Sequence, residues 1–440
     1  MKKKHAFFSF LVFLSISALS QQKGIKFEQD LSLNQIFEKA KAENKYVFID
    51  CYASWCGPCK AMERDIYSSE EVGSQMNKNF ISIKFQLDST SNDNPSIKQS
   101  YTDAHNLQFK YNIYAFPTLL FFTPNGEIIH RGLGYMDKSK MISLAEDARN
   151  PDKQYYTILN DYKLGKLDYS EYPELAKAAK LYGDQATEKD IVENYNEEYL
   201  NKLTIDKLCA KKNIRFWMDH FNLFTTSNRL FIVCLNQPEK LEYYRKDFAK
   251  DVIKIVITKD IVIPLLYNGN QPISLNPDWS NIRTIIAQKF GNQSVEEIIT
   301  DSQIDFYRKI ENWGKYVSLY EKKYNERQLK PGGGFGGDAF KLNQAAWDVF
   351  LSCNDKKIIQ HAINWINLSI KIGGNNDPNL YAYYDTKANL LYKLGKINDA
   401  IQLEQMAIDS HFRSTGNKST YYEEVMAVMK KGEPTWDGRF

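Results

Sequence analysis

Trp55-Cys56-Gly57-Pro58-Cys59-Lys60 decides how this chain is read. Two cysteines separated by two residues can close a small, reversible disulfide. The strand-forming run Tyr46-Val47-Phe48-Ile49-Asp50-Cys51-Tyr52 leads into it, and Lys60-Ala61-Met62-Glu63-Arg64 after it has the composition of a helix. A dithiol at a strand-to-helix junction is the pattern of redox chemistry. Exchange needs one thiolate that attacks and a second thiol that resolves the mixed disulfide. Cys56 falls at the helix N-terminus, where N–H groups and the helix dipole stabilise negative charge, so it is the expected nucleophile. Cys59, about one turn further in, is the expected resolving thiol. Pro58 is tolerated because the first turn does not need its N–H. Gly57 removes side-chain bulk where a client must approach.

Working outward, residues 21 to about 150 alternate strand and helix patterns. Leu33 to Asn44 has helical spacing at Leu33, Ile36, Phe37 and Ala40. Tyr46 to Tyr52 carries few polar residues, as a central strand covered on both faces would. Ser68 and Glu71 have the spacing of a capping box opening a second helix. Phe80 to Leu87 is another strand. Leu119 to Thr123 and Glu127 to Gly132 flank Pro124-Asn125-Gly126, a hairpin turn. Asp137 to Ala148 closes with a helix. The polar stretch Ser89 to Pro95 and the helix-like residues up to Lys110 read as an insertion at a loop, a candidate for the groove border or an edge decoration.

Two other chemistries fit a Cys-x-x-Cys pair. A zinc site needs two more Cys or His at ligand spacing. The chain has no second such pair, and its six histidines are dispersed. A purely structural disulfide this short would constrain few residues. The expectation is therefore no metal and no cofactor beyond the redox-active Cys56–Cys59 disulfide.

The residues Trp55 to Lys60, with the strand before them and Met62-Glu63-Arg64-Asp65-Ile66-Tyr67-Ser68 after them, resemble the thioredoxin superfamily over about residues 25–148. The resemblance is to the thioredoxin-like domains of exported and envelope disulfide reductases. It implies an α/β thioredoxin fold, a central mixed sheet flanked by helices. It also implies site residues. Asp50 matches the buried acid beneath the dithiol, which can take the proton of the resolving thiol because desolvation raises its pKa. The plainer alternative for Asp50 is a hydrogen-bonded acid at a strand end. Lys84 matches the lysine that pairs with that acid. Phe116-Pro117-Thr118 matches the cis-proline turn that faces the dithiol and offers backbone groups to a bound peptide. Together with Trp55, Gly57 and Pro58 these are the expected substrate-binding residues. Phe116 departs from the small or β-branched residue usual before that proline, which bears on client preference.

The 440 residues predict two or three domains. At the N-terminus Lys2, Lys3 and Lys4 precede an apolar run from Ala6 to Ala18, and Ala18-Leu19-Ser20 offers small residues for cleavage. Residues 1–20 are thus expected to be a signal peptide. The alternative is a retained anchor, but the apolar run is short for a span of about 20 residues. Export to the periplasm or cell envelope follows from that expectation, with a soluble mature chain. Loss of residues 1–20 removes three lysines and no acid, which balances the basic and acidic side chains at 54 each. Such neutrality argues against nucleic acid as a partner. Cys51, Cys209, Cys234 and Cys353 are scattered, as small buried residues would be. A Cys209–Cys234 bridge is compatible with the sequence, though spacing alone does not establish it.

Beyond Asn150-Pro151-Asp152 the strands nearly vanish, and an all-α helical-repeat region is expected. Tyr-Lys-Leu-Gly-Lys occurs twice, at 162–166 and 392–396. Tyr384, Ala388, Leu391, Gly395, Ala400 and Ala407 resemble the tetratricopeptide pattern. Val252 to Leu266 is rich in β-branched residues and fits a strand or a buried helix. Pro331 to Gly337 lacks the Gly-Lys-Ser/Thr ending of a phosphate loop and reads as a hinge. The expected organisation is a signal peptide at 1–20, a thioredoxin-like domain at 21–150, a helical domain at 151–330, a hinge at 331–337 and a tetratricopeptide-like region at 338–440.

Two functions compete. The first is an exported thiol–disulfide oxidoreductase that reduces protein disulfides, with a membrane reductase as electron donor and helical surfaces that dock a protein partner. The second is a scaffold or client-binding protein that uses the same fold without turnover. The intact dithiol favours the first, because binding alone needs neither sulfur.

Overall fold

The computed structural model describes residues 23–292, 294–325, 329–330 and 336–436. The expected signal peptide and most of the glycine-rich hinge lie outside the described residues. The chain forms two compact units divided between Phe224 and Thr225. That division falls inside the stretch expected as one helical domain, so residues 151–224 share a unit with the N-terminal sheet.

The first unit is built on five strands: β1 (Phe27–Glu28), β2 (Tyr46–Tyr52), β3 (Phe80–Gln86), β4 (Thr118–Phe122) and β5 (Ile128–Leu133). Their order across the sheet is β1-β3-β2-β4-β5. β2 runs parallel to β3 and antiparallel to β4, and β4 pairs antiparallel with β5. The helices of this part are α1 (Leu33–Glu43), α2 (Gly57–Ala61), α3 (Glu70–Asn79), α4 (Pro95–Lys110) and α5 (Lys138–Asp147).

Alternation along β2 explains the layering. Val47, Ile49 and Cys51 enter one core with Ile36 and Ala40 of α1 and Ala104 and Leu107 of α4. Phe48 enters the other, with Met62, Ile66, Val72, Met76, Met141 and Ala145. Asp50 is two residues from Phe48, so it shares that second face, beneath the dithiol helix. A sheet covered on both sides by helices is the α/β layer arrangement expected from the sequence.

Two expectations need correction. Residues 95–110 are no loop insertion: α4 is the β3-to-β4 crossover, with Ala104 and Leu107 buried in the core. Asn94 caps it by accepting from the Ile97 amide at 2.9 Å, with Pro95 in the first turn. The Ser68–Glu71 capping box does not form. The chain leaves α2 in wider π-helical turns over Met62–Tyr67, which carries Ser68 into helical conformation. Its hydroxyl donates to Arg64 O at 2.6 Å, and Ser69 takes the N-cap position of α3 without a side-chain capping bond. A capping box does form at α1, between Ser32 and Gln35.

Residues 151–224 add α6 (Tyr155–Lys163), α7 (Tyr172–Leu181), α8 (Gln185–Glu198), α9 (Ile205–Leu208) and α10 (Lys211–Asp219). α6 covers β5, which would otherwise leave an open sheet edge. The Tyr155 amide donates to His130 Nδ1 at 3.0 Å. Arg131 Nη1 donates to Tyr156 Oη at 3.4 Å and to Tyr111 O at 3.3 Å.

The second unit is mainly helical. Val252 to Leu266 is helical throughout: Phe248–Ile257, then π turns at Thr258–Val262, then Ile263–Leu266. Further on come Asp338–Ser352, Lys356–Gly373, Leu380–Lys393, Ile397–Thr415 and Thr420–Lys431, where successive helices pack together. The repeated Tyr-Lys-Leu-Gly-Lys sequence gives the same local structure twice. Gly165 and Gly395 both take positive φ, at 66° and 83°, just past a helix end. The following amides of Lys166 and Lys396 return to Asp161 O and Leu391 O at 2.9 and 3.0 Å.

Candidate active site

The strand β2 ends in the loop Ala53 to Trp55, and α2 begins at once. Ser54 fixes this loop to the end of β3: its amide donates to Asp88 Oδ1 at 2.8 Å and its hydroxyl to Asp88 Oδ2 at 2.5 Å. Cys56 is the N-cap of α2, and its Sγ accepts from the Cys59 amide at 3.1 Å. Cys56 and Cys59 are joined as a disulfide, with Cα atoms 5.3 Å apart. Both are buried, with Ala53, against Tyr52 and Phe116. Trp55 is 70% exposed and meets Phe116 edge-on at 5.8 Å between ring centroids. Gly57 and Pro58 are exposed, and the space a side chain would occupy at 57 is open.

The Phe116–Pro117 peptide is cis. Phe116 packs on the dithiol cluster. Thr118 has another part: its side chain is buried, and its hydroxyl donates to Ala115 O at 2.7 Å. It shapes the turn from beneath and presents no side chain to a client.

Asp50 lies under the dithiol, fully buried. Burial raises its pKa to about 6, against smaller lowering effects of the Lys84 charge and of Tyr67. Asp50 and Lys84 are register partners on β2 and β3, which puts both on one face. Lys84 Nζ pairs with Glu63 Oε2 and lies 4.5 Å from the Phe27 ring centroid. Burial lowers the pKa of Lys84, and the Asp50 charge opposes that shift. The Tyr67 hydroxyl is close enough to act on Asp50 electrostatically. Neither it nor Asp50 Oδ1 makes a hydrogen bond of normal geometry. A cavity of about 180 Å³ connects the two halves of the site, lined by Asp50, Ser54, Cys59, Lys60 and Glu63 among others. A space of this size has room for water between the acid and the Cys59 side of the pair.

Residues 33–149 match the family model described as a thioredoxin-like domain. This stretch is a thioredoxin-like domain. Over 123 residues the chain is 31% identical to the thiol:disulfide interchange protein DsbD of Yersinia pestis (strain Pestoides F), covering 27% of this chain and 19% of that protein. The chain thus spans about a fifth of the length of the curated relatives it matches. Among solved structures, a putative disulphide-isomerase from Bacteroides thetaiotaomicron is 27% identical, with 30% of this chain and 98% of that one covered and a TM-score of 0.25. The oxidised C-terminal domain of DsbD from Neisseria meningitidis is 21% identical, with 26% and 91% covered and a TM-score of 0.22.

Within the thioredoxin-like domain the structure brings Cys56, Cys59, Asp50, Lys84, Trp55 and Phe116 together. Sequence reasoning missed Glu63, Tyr67 and Asp88 as members of the site. Asp88 carried a local signal, being the first acid after a buried strand. Cys51 neighbours Asp50 in sequence but faces the opposite core, and burial pushes its thiol pKa well up. Cys51, Cys209, Cys234 and Cys353 are buried thiols, so the Cys209–Cys234 bridge is not present. Among the described residues no group of three or more His, Cys, Asp or Glu could hold a metal ion.

Proposed function

We propose that this protein is a thiol–disulfide oxidoreductase that reduces disulfides in protein clients. The observation that carries the reading is the Cys56–Cys59 disulfide at the first turn of α2, above the buried Asp50 and joined to it by one cavity. In the reduced enzyme the Cys56 thiolate attacks a client disulfide. A mixed disulfide forms and one client thiolate leaves. Cys59 then gives its proton to Asp50 and attacks Cys56 Sγ. The second client sulfur departs as a thiolate that takes up the proton held by Asp50 or one from solvent, and the Cys56–Cys59 disulfide is restored. Two electrons pass from the enzyme dithiol to the client. Trp55, Gly57, Pro58 and the Phe116–Pro117 edge form the client-facing surface, and Lys84 holds the Asp50 pKa below the value that burial alone would set.

The similarity to proteins named for thiol:disulfide interchange supports this chemistry at the level of the domain. Export is part of the proposal, supported by Lys2 to Lys4 and the apolar run that follows. A membrane reductase is the proposed electron donor, because an oxidising compartment does not itself keep the dithiol reduced. The helices of the second unit, including the tetratricopeptide-like 338–440, are proposed to bind a protein partner.

The test is turnover of insulin disulfides with dithiothreitol by the purified chain. Acceleration that disappears in a Cys56→Ser, Cys59→Ser double variant is expected. Equal rates for the two proteins would leave only the client-binding scaffold.

A further inference from the structure

The α7–α8 turn touches the loop that carries the cis proline. That loop, residues 111–117, joins α4 to β4. At one end Tyr111 O accepts from Arg131. In its middle Tyr114, 55% exposed, reaches away from the sheet, and its hydroxyl donates to Tyr182 O at 3.3 Å. The hydroxyl sits directly over Gly183, where a Cβ would fall 0.9 Å from Tyr114 Oη. Gly183 also takes φ +67°, which glycine adopts without strain. The turn therefore needs glycine twice, once for its backbone and once to seat the tyrosine.

The turn is itself fixed to the domain. Tyr182 packs edge-on against His130 and Tyr155, with ring centroids at 6.3 and 5.0 Å, and the Arg131 guanidinium lies 5.9 Å from its ring centroid. Tyr155 Oη donates to Asp184 Oδ2 at 3.3 Å, and Asp184 caps α8. Two residues of the turn, Tyr182 and Asp184, are thus held from β5 and α6. Tyr114 links that turn directly to the 111–117 loop.

We propose that Tyr114 is a positioning residue: seated on Gly183, it lets the α7–α8 turn set the position of the Phe116–Pro117 edge opposite Cys56. Helices α6 to α8 then act on client binding without touching a client. This rests on the reductase reading above. A loop held at both ends and in its middle presents a preorganised edge, so the effect falls on client affinity rather than on sulfur chemistry.

The test uses the full chain and two substrates. Insulin needs the edge, whereas 5,5′-dithiobis(2-nitrobenzoate) is a small disulfide that does not. Tyr114→Phe removes only the hydroxyl and Gly183→Ala removes the seat from the far side. Each is expected to raise KM for insulin about fivefold, the scale of one lost hydrogen bond. The kcat and the rate with the small disulfide should stay within about twofold, since the dithiol is untouched. Hydrogen exchange of the 111–117 amides should quicken in both variants. Tyr114→Phe stands alone as a test if Gly183→Ala does not fold. An unchanged insulin KM in Tyr114→Phe overturns the inference, as does an equal loss on both substrates. A wild-type chain that reduces no insulin overturns the reductase reading instead.

Discussion

Cys56 Sγ accepts a hydrogen bond from the Cys59 amide at 3.1 Å, which gives the two sulfurs of the pair unequal surroundings. The donor is a first-turn N–H that the helix does not use internally. It remains available to a thiolate at Cys56 when the disulfide opens. Cys59 lies inside the helix, and among the described residues no such donor is directed at its sulfur. After mild reduction, limiting iodoacetamide should therefore label Cys56 first, as read by peptide mass. In Cys59→Ser, mixed disulfides with clients should accumulate, because nothing resolves them. Accumulation in Cys56→Ser instead would reverse the assigned roles.

Asp50 makes the second thiol step depend on pH. Its folded-state pKa, about 6, lies above its unfolded value near 3.8. The folded state therefore favours the protonated acid. The stability this gives is complete below pH 4 and is lost as pH rises through 6. Asp50→Asn should leave stability unchanged at pH 4 and raise it at pH 8 by up to about 3 kcal/mol, the worth of two pKa units. Urea melts at the two pH values measure the difference. The same variant should slow resolution of the mixed disulfide while leaving the initial attack by Cys56 nearly unchanged. A stability gain of equal size at both pH values would show that Asp50 does not titrate as argued.

Lys84 lowers the Asp50 pKa through its charge, against the larger effect of burial. Lys84→Met removes that charge and keeps most of the apolar stem beside Phe27 and Tyr67. The acid limb of the pH–rate profile for resolution should then move upward from about 6. A carboxyl titration of Asp50 by carbon NMR checks the same point directly. A limb that stays in place would mean that Glu63 neutralises Lys84 fully.

Much of the site was legible because its signals are local. The run Tyr46 to Tyr52 is a strand over its whole length, since both of its faces meet apolar neighbours. The dithiol, Asp50 and Pro117 fall where their motifs predicted. What was hidden depends on contacts remote in sequence. Nothing near Tyr67 signals that it will lie against Asp50, and Tyr114 meets Tyr182 across 68 residues. The place of α4 in the core was hidden for another reason. Its buried stripe is thin, mainly Ala104 and Leu107, and its polar residues outweigh it. The capping pattern at Ser68 failed because π turns ahead of it shifted the helix start by one residue.

Glu404 and Asp385 form a buried acid pair in the second unit, between the helices Leu380–Lys393 and Ile397–Thr415. Burial raises the pKa of both, and the charge of Asp385 pushes Glu404 further up. Asn389 Nδ2 donates to Asp385 Oδ1 at 2.8 Å, whereas neither Glu404 oxygen receives a donor among the described residues. Tyr421 and Tyr422, on the next helix, feel both acids, and no lysine or arginine shifts either one. A proton on Glu404 turns repulsion into a hydrogen bond. The folded state thus holds protons that the unfolded chain releases above about pH 4 to 5. The resulting stability is complete below that range and declines as pH rises. Glu404→Gln supplies a neutral donor of the same shape. Its Tm should match that of the wild type at pH 4 and exceed it at pH 8, with a gain of at least about 1 kcal/mol for each pKa unit of the pair's shift that is removed. Thermal melts of the full chain at both pH values measure this. A Tm difference that does not grow with pH would mean that the pair is already satisfied as two carboxylates.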